Sequence, residues 1–150
     1  MKRLFQVMAL SALVLTGLVA SASAQTVSTG TKVKIDFDFT AGNQQFPAGK
    51  YRIKTFNDTH SQTLLLVQRL DGSEQGFVAT TQNQNRAKYG PGDVAFNKYG
   101  DKYFLANVQL GDGGVVHQIL KSRSERNTQR MSVKIAGVEP KQVIVPTTGQ

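Results

Sequence analysis

Cysteine is absent from the 150-residue chain. That excludes a disulfide framework, a thiolate nucleophile and any Cys-ligated zinc or iron–sulfur site. Tryptophan is absent too, and the two histidines, His60 and His117, are too few for a His-rich metal site. Acidic residues are scarce, with 10 Asp and Glu against 18 Lys and Arg and a net charge of +8. Long apolar runs are absent beyond the first 24 residues. Without disulfides to restrain the unfolded chain, stability must come from burial. A domain of this size buries roughly two thirds of its unfolded surface. The length predicts a single domain.

What is present begins with an address. Lys2 and Arg3 form a short positive segment, and Leu4 to Ala20 are apolar apart from Gln6, Ser11, Thr16 and Gly17. Ala22-Ser23-Ala24 then supplies the small-x-small pattern read by signal peptidase. The reading is a signal peptide over 1–24, followed by a single β domain over 25–150. Losing Lys2 and Arg3 takes the net charge from +8 to +6. No Cys follows the apolar run, so a lipoprotein anchor is not expected, and no later stretch is apolar enough to span a bilayer as a helix. Export to the periplasm or outside the cell makes anionic envelope polymers and lipid headgroups more fitting partners for a cationic protein than nucleic acid.

The remaining chain reads as β structure. Val33, Ile35, Phe37 and Phe39 alternate with Lys32, Lys34, Asp36 and Asp38, which predicts one strand over Thr31–Phe39 with one buried face. Turns are expected at Ala41-Gly42-Asn43 and at Phe46-Pro47-Ala48-Gly49, followed by a strand over Tyr51–Phe56. Thr63–Leu70, apolar on both faces through Leu64-Leu65-Leu66-Val67, predicts a central strand. Asp71-Gly72 signals a hairpin to a strand over Gly76–Thr81. A polar loop over Gln82–Gly92 leads to a second hairpin, Asp93–Tyr99 with Lys102–Leu110, turning at Gly100-Asp101. Ser122-x-x-Glu125 has the form of a capping box, predicting a short helix near 122–129. Met131–Val138 and Gln142–Val145 are read as further β segments. The sum is an all-β fold, a single antiparallel β-sandwich or small barrel of seven to eight short strands with one short helix. A transmembrane barrel is not expected, because its strands need about 9–11 residues and most of these are shorter.

Three segments, taken in order, resemble a group of small exported β proteins common in soil-dwelling bacteria. They are Phe37-x-Phe39-x-x-Gly42-x-x-x-Phe46-Pro47-Ala48-Gly49-x-Tyr51, Tyr99-Gly100-Asp101-x-Tyr103-Phe104-Leu105, and Ser122-x-x-Glu125-Arg126. The resemblance implies export and a β fold. It carries over no catalytic residue.

Each candidate for chemistry has a plainer reading. Asp36 and Asp38, on one face of a strand, would lie about 7 Å apart. That spacing suits a glycoside hydrolase, but the two side chains would project in parallel rather than across a substrate. A charge-alternating strand surface is preferred, and a small hydrolase using these acids is kept as an alternative. Asp58, His60 and Ser61 supply triad residue types in a polar turn without a nucleophile elbow. His117, between apolar residues, reads as packing rather than a metal ligand. Asp101 and Asp112 sit in Gly-containing turns without a calcium-loop pattern, and Gly111–Gly114 lacks a phosphate-loop ending. Tyr51, Tyr89, Tyr99 and Tyr103 are candidates for sugar stacking, with strand-end packing preferred. No catalytic, cofactor-binding or metal residue is therefore assigned, and no cofactor is expected.

The basic cluster Lys121, Arg123, Arg126 and Arg130 is the one candidate binding site, for anions. On a helix, Arg123, Arg126 and Arg130 share a face and could hold an anion. The expected function is an exported, non-enzymatic structural or binding module of the cell envelope. The alternatives are a polyanion binder using 121–130 and the small hydrolase at Asp36 and Asp38. Partner recruitment by strand addition at an exposed edge is the other interaction envisaged.

Overall fold

The computed structural model describes residues 30–57, 63–83, 90–110, 115–136 and 140–147. The proposed signal peptide and the turn carrying Asp58, His60 and Ser61 lie outside them. So do Tyr89, Asp112 and the Gly111–Gly114 run. Ten strands and one helix follow one another as β1 (Gly30–Ile35), β2 (Phe39–Ala41), β3 (Gln44–Phe46), β4 (Gly49–Asn57), β5 (Thr63–Arg69), β6 (Gln75–Asn83), β7 (Val94–Tyr99), β8 (Lys102–Gln109), β9 (Val116–Ile119), α1 (Arg123–Ala136) and β10 (Lys141–Val145). Over the described residues the fold is mostly β and sandwich-like, with one helix, as expected.

The strands form one sheet that bends around a shared core without closing into a barrel. Its order is β1-β4-β5-β6-β9-β8; β2, followed by β3, pairs with the start of β8 on the same edge as β9, and β7, followed by β10, lines the other edge. Pairing is antiparallel throughout except at β2, which runs parallel to β8 through Phe39↔Tyr103 and Thr40↔Phe104. A register shift at Ala95 and Phe96 adds one residue to β8, so Leu105 and Val108 both face inward.

Alternation of side chains explains the core. Val33, Ile35, Tyr51, Ile53, Leu65, Val67, Val78 and Val108 point inward from paired strands. Phe39 fills the centre, 5.3 Å from Phe46, 5.3 Å from Tyr51 and 5.4 Å from Phe96 between ring centroids. Tyr51 donates its buried hydroxyl to the Pro47 carbonyl at 2.6 Å. Both expected hairpins form. Gly72 adopts φ 77° between β5 and β6, where Asp71 Oδ1 accepts from the Ser73 amide at 2.9 Å. Gly100 adopts φ 61° between β7 and β8.

Three expectations need correction. The single strand over Thr31–Phe39 breaks after Ile35, and the chain resumes as the short hairpin β2–β3. Phe37 leaves the alternation to stack on Tyr103, with centroids 3.9 Å apart, and to meet Phe96 edge-on at 5.1 Å. The helix does not end at Gln129, because residues read as β from Met131 onward continue it to Ala136. The strand count rises to ten because β2, β3 and β9 form separate short strands.

Candidate functional site

The sequence signal at Ser122 places the start of α1 correctly. The Glu125 amide donates to Ser122 Oγ at 3.1 Å, and the Arg126 amide donates to the Ser122 carbonyl at 3.1 Å. Glu125 in the first turn and Lys134 in the last complement the helix dipole. The reciprocal half of a capping box is replaced by a tertiary contact. Glu125 Oε1 accepts from Asn97 Nδ2 at 2.9 Å and from the Tyr99 hydroxyl at 3.2 Å.

Asn97 and Tyr99 share the outer face of β7, and the Tyr99 ring meets Phe104 of β8 at 5.7 Å. Glu125 is 3% exposed and is the buried side chain among the described ones of α1. Met131 and Val133, 60% and 54% exposed, face solvent. Among the described side chains of α1, the one that attaches the helix to the sheet is thus a carboxylate rather than an apolar group.

That attachment orients the basic cluster. Arg123 lies two residues from Glu125, about 200° around the helix. Arg123, Arg126 and Arg130 follow at offsets of three and four and face away from the sheet. Lys121 and all three arginines are exposed. Lys121 Nζ donates to Gln129 Oε1 at 3.1 Å, and an Arg126 Nη1 donor holds the Lys121 carbonyl. Arg123 and Arg130 have no ion-pair partner among the described residues. Exposed Lys134, four residues beyond Arg130, extends the row. Sequence reasoning missed it by assigning 131–138 to a strand. A helical reading carried past Gln129 would have found it.

A cleft of about 460 Å³ opens beside the start of α1, between β2–β3 and the β7–β8 turn, and is lined in part by Asp38, Phe46, Glu74, Asp101, Lys102 and Ser124. Its charge is mainly acidic. Asp38 Oδ1 accepts from the Ala48 amide at 2.8 Å, while exposed Asp36 pairs with Lys34 at 2.8 Å. The two acids therefore stand in the irregular segment between β1 and β2, each with its own partner, and not on one strand face. Among the described residues, no group of three or more His, Asp or Glu is placed to hold a metal ion.

Of the remaining described candidates, Asp101 is exposed in the β7–β8 turn, and His117, Tyr51 and Tyr99 are packed inside. His117 is buried in β9, opposite Val108 and Gln82, and its Nδ1 has no hydrogen-bond partner among the described residues. Burial holds its pKa below the usual histidine range. Tyr51 and Tyr99 are buried, and Tyr103 is half-buried against Phe37 with the Lys98 ammonium 5.1 Å from its ring centroid. None of these three rings forms an open stacking platform. No family model, curated protein or solved structure matches the chain.

Proposed function

We propose that the protein is an exported, non-enzymatic binding module of the cell envelope, and that the outward face of α1 holds anionic polymer. The observation that carries this reading is the orientation of α1. Burial of Glu125 on one side presents Arg123, Arg126 and Arg130, with Lys121 and Lys134, on the other. Guanidinium groups suit phosphate and sulfate oxygens because they offer paired donors in a fixed plane. Exposed cations attract a polyanion through a field that salt screens within about 8–10 Å.

Retention of residues 25–150 on anionic envelope polymer extracted free of lipid, at low and physiological salt, tests the reading. All described elements lie within 30–147, so this segment keeps the whole ladder. Wild type is retained and salt releases it, whereas a folded Arg123→Ala/Arg126→Ala/Arg130→Ala variant flows through. Equal retention of the variant would sink the proposal.

A further inference from the structure

The outer face of β1-β4-β5-β6 carries a second feature, separate from α1. On β1 and β4, Lys32, Lys34, Lys50, Arg52 and Lys54 all point outward, because their neighbours Val33, Ile35, Tyr51 and Ile53 fill the core. Register sets Lys32 directly opposite Arg52 and Lys34 opposite Lys50. Like charges in facing positions weaken a sheet. Of these five, only Lys34 has an ion-pair partner among the described residues, Asp36 at the exposed margin.

The same face turns apolar on the adjoining strands. Lys54 faces Leu66, which faces Phe77, and Phe56 faces Leu64, which faces Ala79. Phe56 and Phe77 are 44% and 57% exposed, with ring centroids 5.1 Å apart. Exposed Leu120 adjoins Ala79, to whose carbonyl its amide donates at 3.3 Å. A cationic strip thus borders an exposed aromatic–aliphatic strip, the two together crossing about 14 Å of sheet at ~4.8 Å per strand.

We infer that this face docks on an anionic phospholipid surface, with Phe56 and Phe77 entering the headgroup–acyl boundary and Lys32, Lys50, Arg52 and Lys54 holding lipid phosphates. Charge complementarity selects this occupant. A two-fold stacking of two copies would lay the basic strip on itself or on the apolar strip, and both arrangements strand charge. A soluble polyanion would satisfy the cations and leave the phenylalanines in water. A bilayer interface supplies anionic oxygens and apolar depth side by side. Four strands of one antiparallel ladder project these side chains toward a common surface. The inference is independent of the α1 stripe.

The chain has no tryptophan, so Phe77→Trp installs a unique fluorophore at the contact. In residues 25–150 carrying it, emission shifts to the blue and is quenched by brominated acyl chains on vesicles of one-third phosphatidylglycerol in phosphatidylcholine. It does neither on phosphatidylcholine alone. In flotation, Lys32→Ser/Arg52→Ser/Lys54→Ser weakens binding about a hundredfold, at about fivefold per basic residue. Phe56→Ser/Phe77→Ser weakens it about tenfold or more. Arg123→Ala/Arg126→Ala/Arg130→Ala still floats, which separates this face from the α1 site. Several results would overturn the inference: no spectral shift on anionic vesicles; binding lost only in the α1 variant; binding to dextran sulfate with the phenylalanine variant unaffected; or a dimer that Phe56→Ser/Phe77→Ser dissociates.

Discussion

Tyr99 donates its hydroxyl to Glu125 Oε1 at 3.2 Å, and this bond joins the outer face of the sheet to α1. Asn97 donates to the same oxygen at 2.9 Å. A buried carboxylate that accepts two side-chain donors is tolerated where an unpaired one would not be. Glu125→Ala removes the acceptor and leaves the Tyr99 hydroxyl buried without a partner. A loss of about 2–3 kcal/mol is expected, with a lower thermal midpoint and a weaker helical signal in circular dichroism. Glu125→Gln keeps an acceptor oxygen and costs about 1 kcal/mol. Equal midpoints for wild type and Glu125→Ala would show that Glu125 does not hold the helix.

The same bond has an alkaline consequence. Burial, then the charge of Glu125 and its hydrogen bond, push the Tyr99 pKa up to about 12. Tyr51 is also pushed up to about 12, by burial first and then by the Glu74 charge, with Arg69 opposing. Both phenols are neutral in the native state and ionise near pH 10 when unfolded. Their contribution to stability is therefore complete below pH 10 and is lost as pH rises from 10 toward 12. Ionising near pH 12 instead of near pH 10 corresponds to about 2–3 kcal/mol per phenol. Urea melts across that window should show stability falling in wild type and falling less steeply in Tyr99→Phe and in Tyr51→Phe. Parallel slopes for all three proteins would refute the assignment.

Much of the fold is legible in local pattern. Asp71-Gly72 and Gly100-Asp101 mark hairpins because they supply positive φ where the turns need it, and Leu64–Val67 marks a strand paired on both edges, with Leu65 and Val67 in the core and Leu64 and Leu66 on the outer face. The failures have equally local causes. Met131, Val133 and Ile135 alternate as a strand would, but the Ser122 cap and the good helix formers after it propagate the helix, and the tertiary anchor at Glu125 supports it. Alternation from Val33 to Phe39 hides the break at Asp36, which exists because Phe37 stacks on Tyr103 of a distant strand. The α1 stripe was readable because Arg123, Arg126 and Arg130 are close in sequence. The β1–β4 basic strip was not, because it depends on Lys32 facing Arg52 across a ladder.

Gly76 shows how one small residue admits the β2–β3 hairpin to the core. It lies in β6 opposite Val67, and a side chain there would meet Gln44 Oε1 and would stand 2.9 Å from Phe46 Cζ. Gln44 also donates to the Gln75 carbonyl at 3.1 Å, which ties β3 to the adjoining backbone. Gln44 can swing aside because it is exposed, but Phe46 is fully buried against Phe39 and Tyr51. Gly76→Ala should therefore overpack the site and destabilise the fold by about 1–3 kcal/mol, with Gly76→Val worse. Adding Phe46→Leu to Gly76→Ala should recover part of that loss, since the shorter side chain vacates the position of the ring edge. A double-mutant cycle from chemical denaturation measures the coupling. Strict additivity would mean that Gly76 and Phe46 do not share this space.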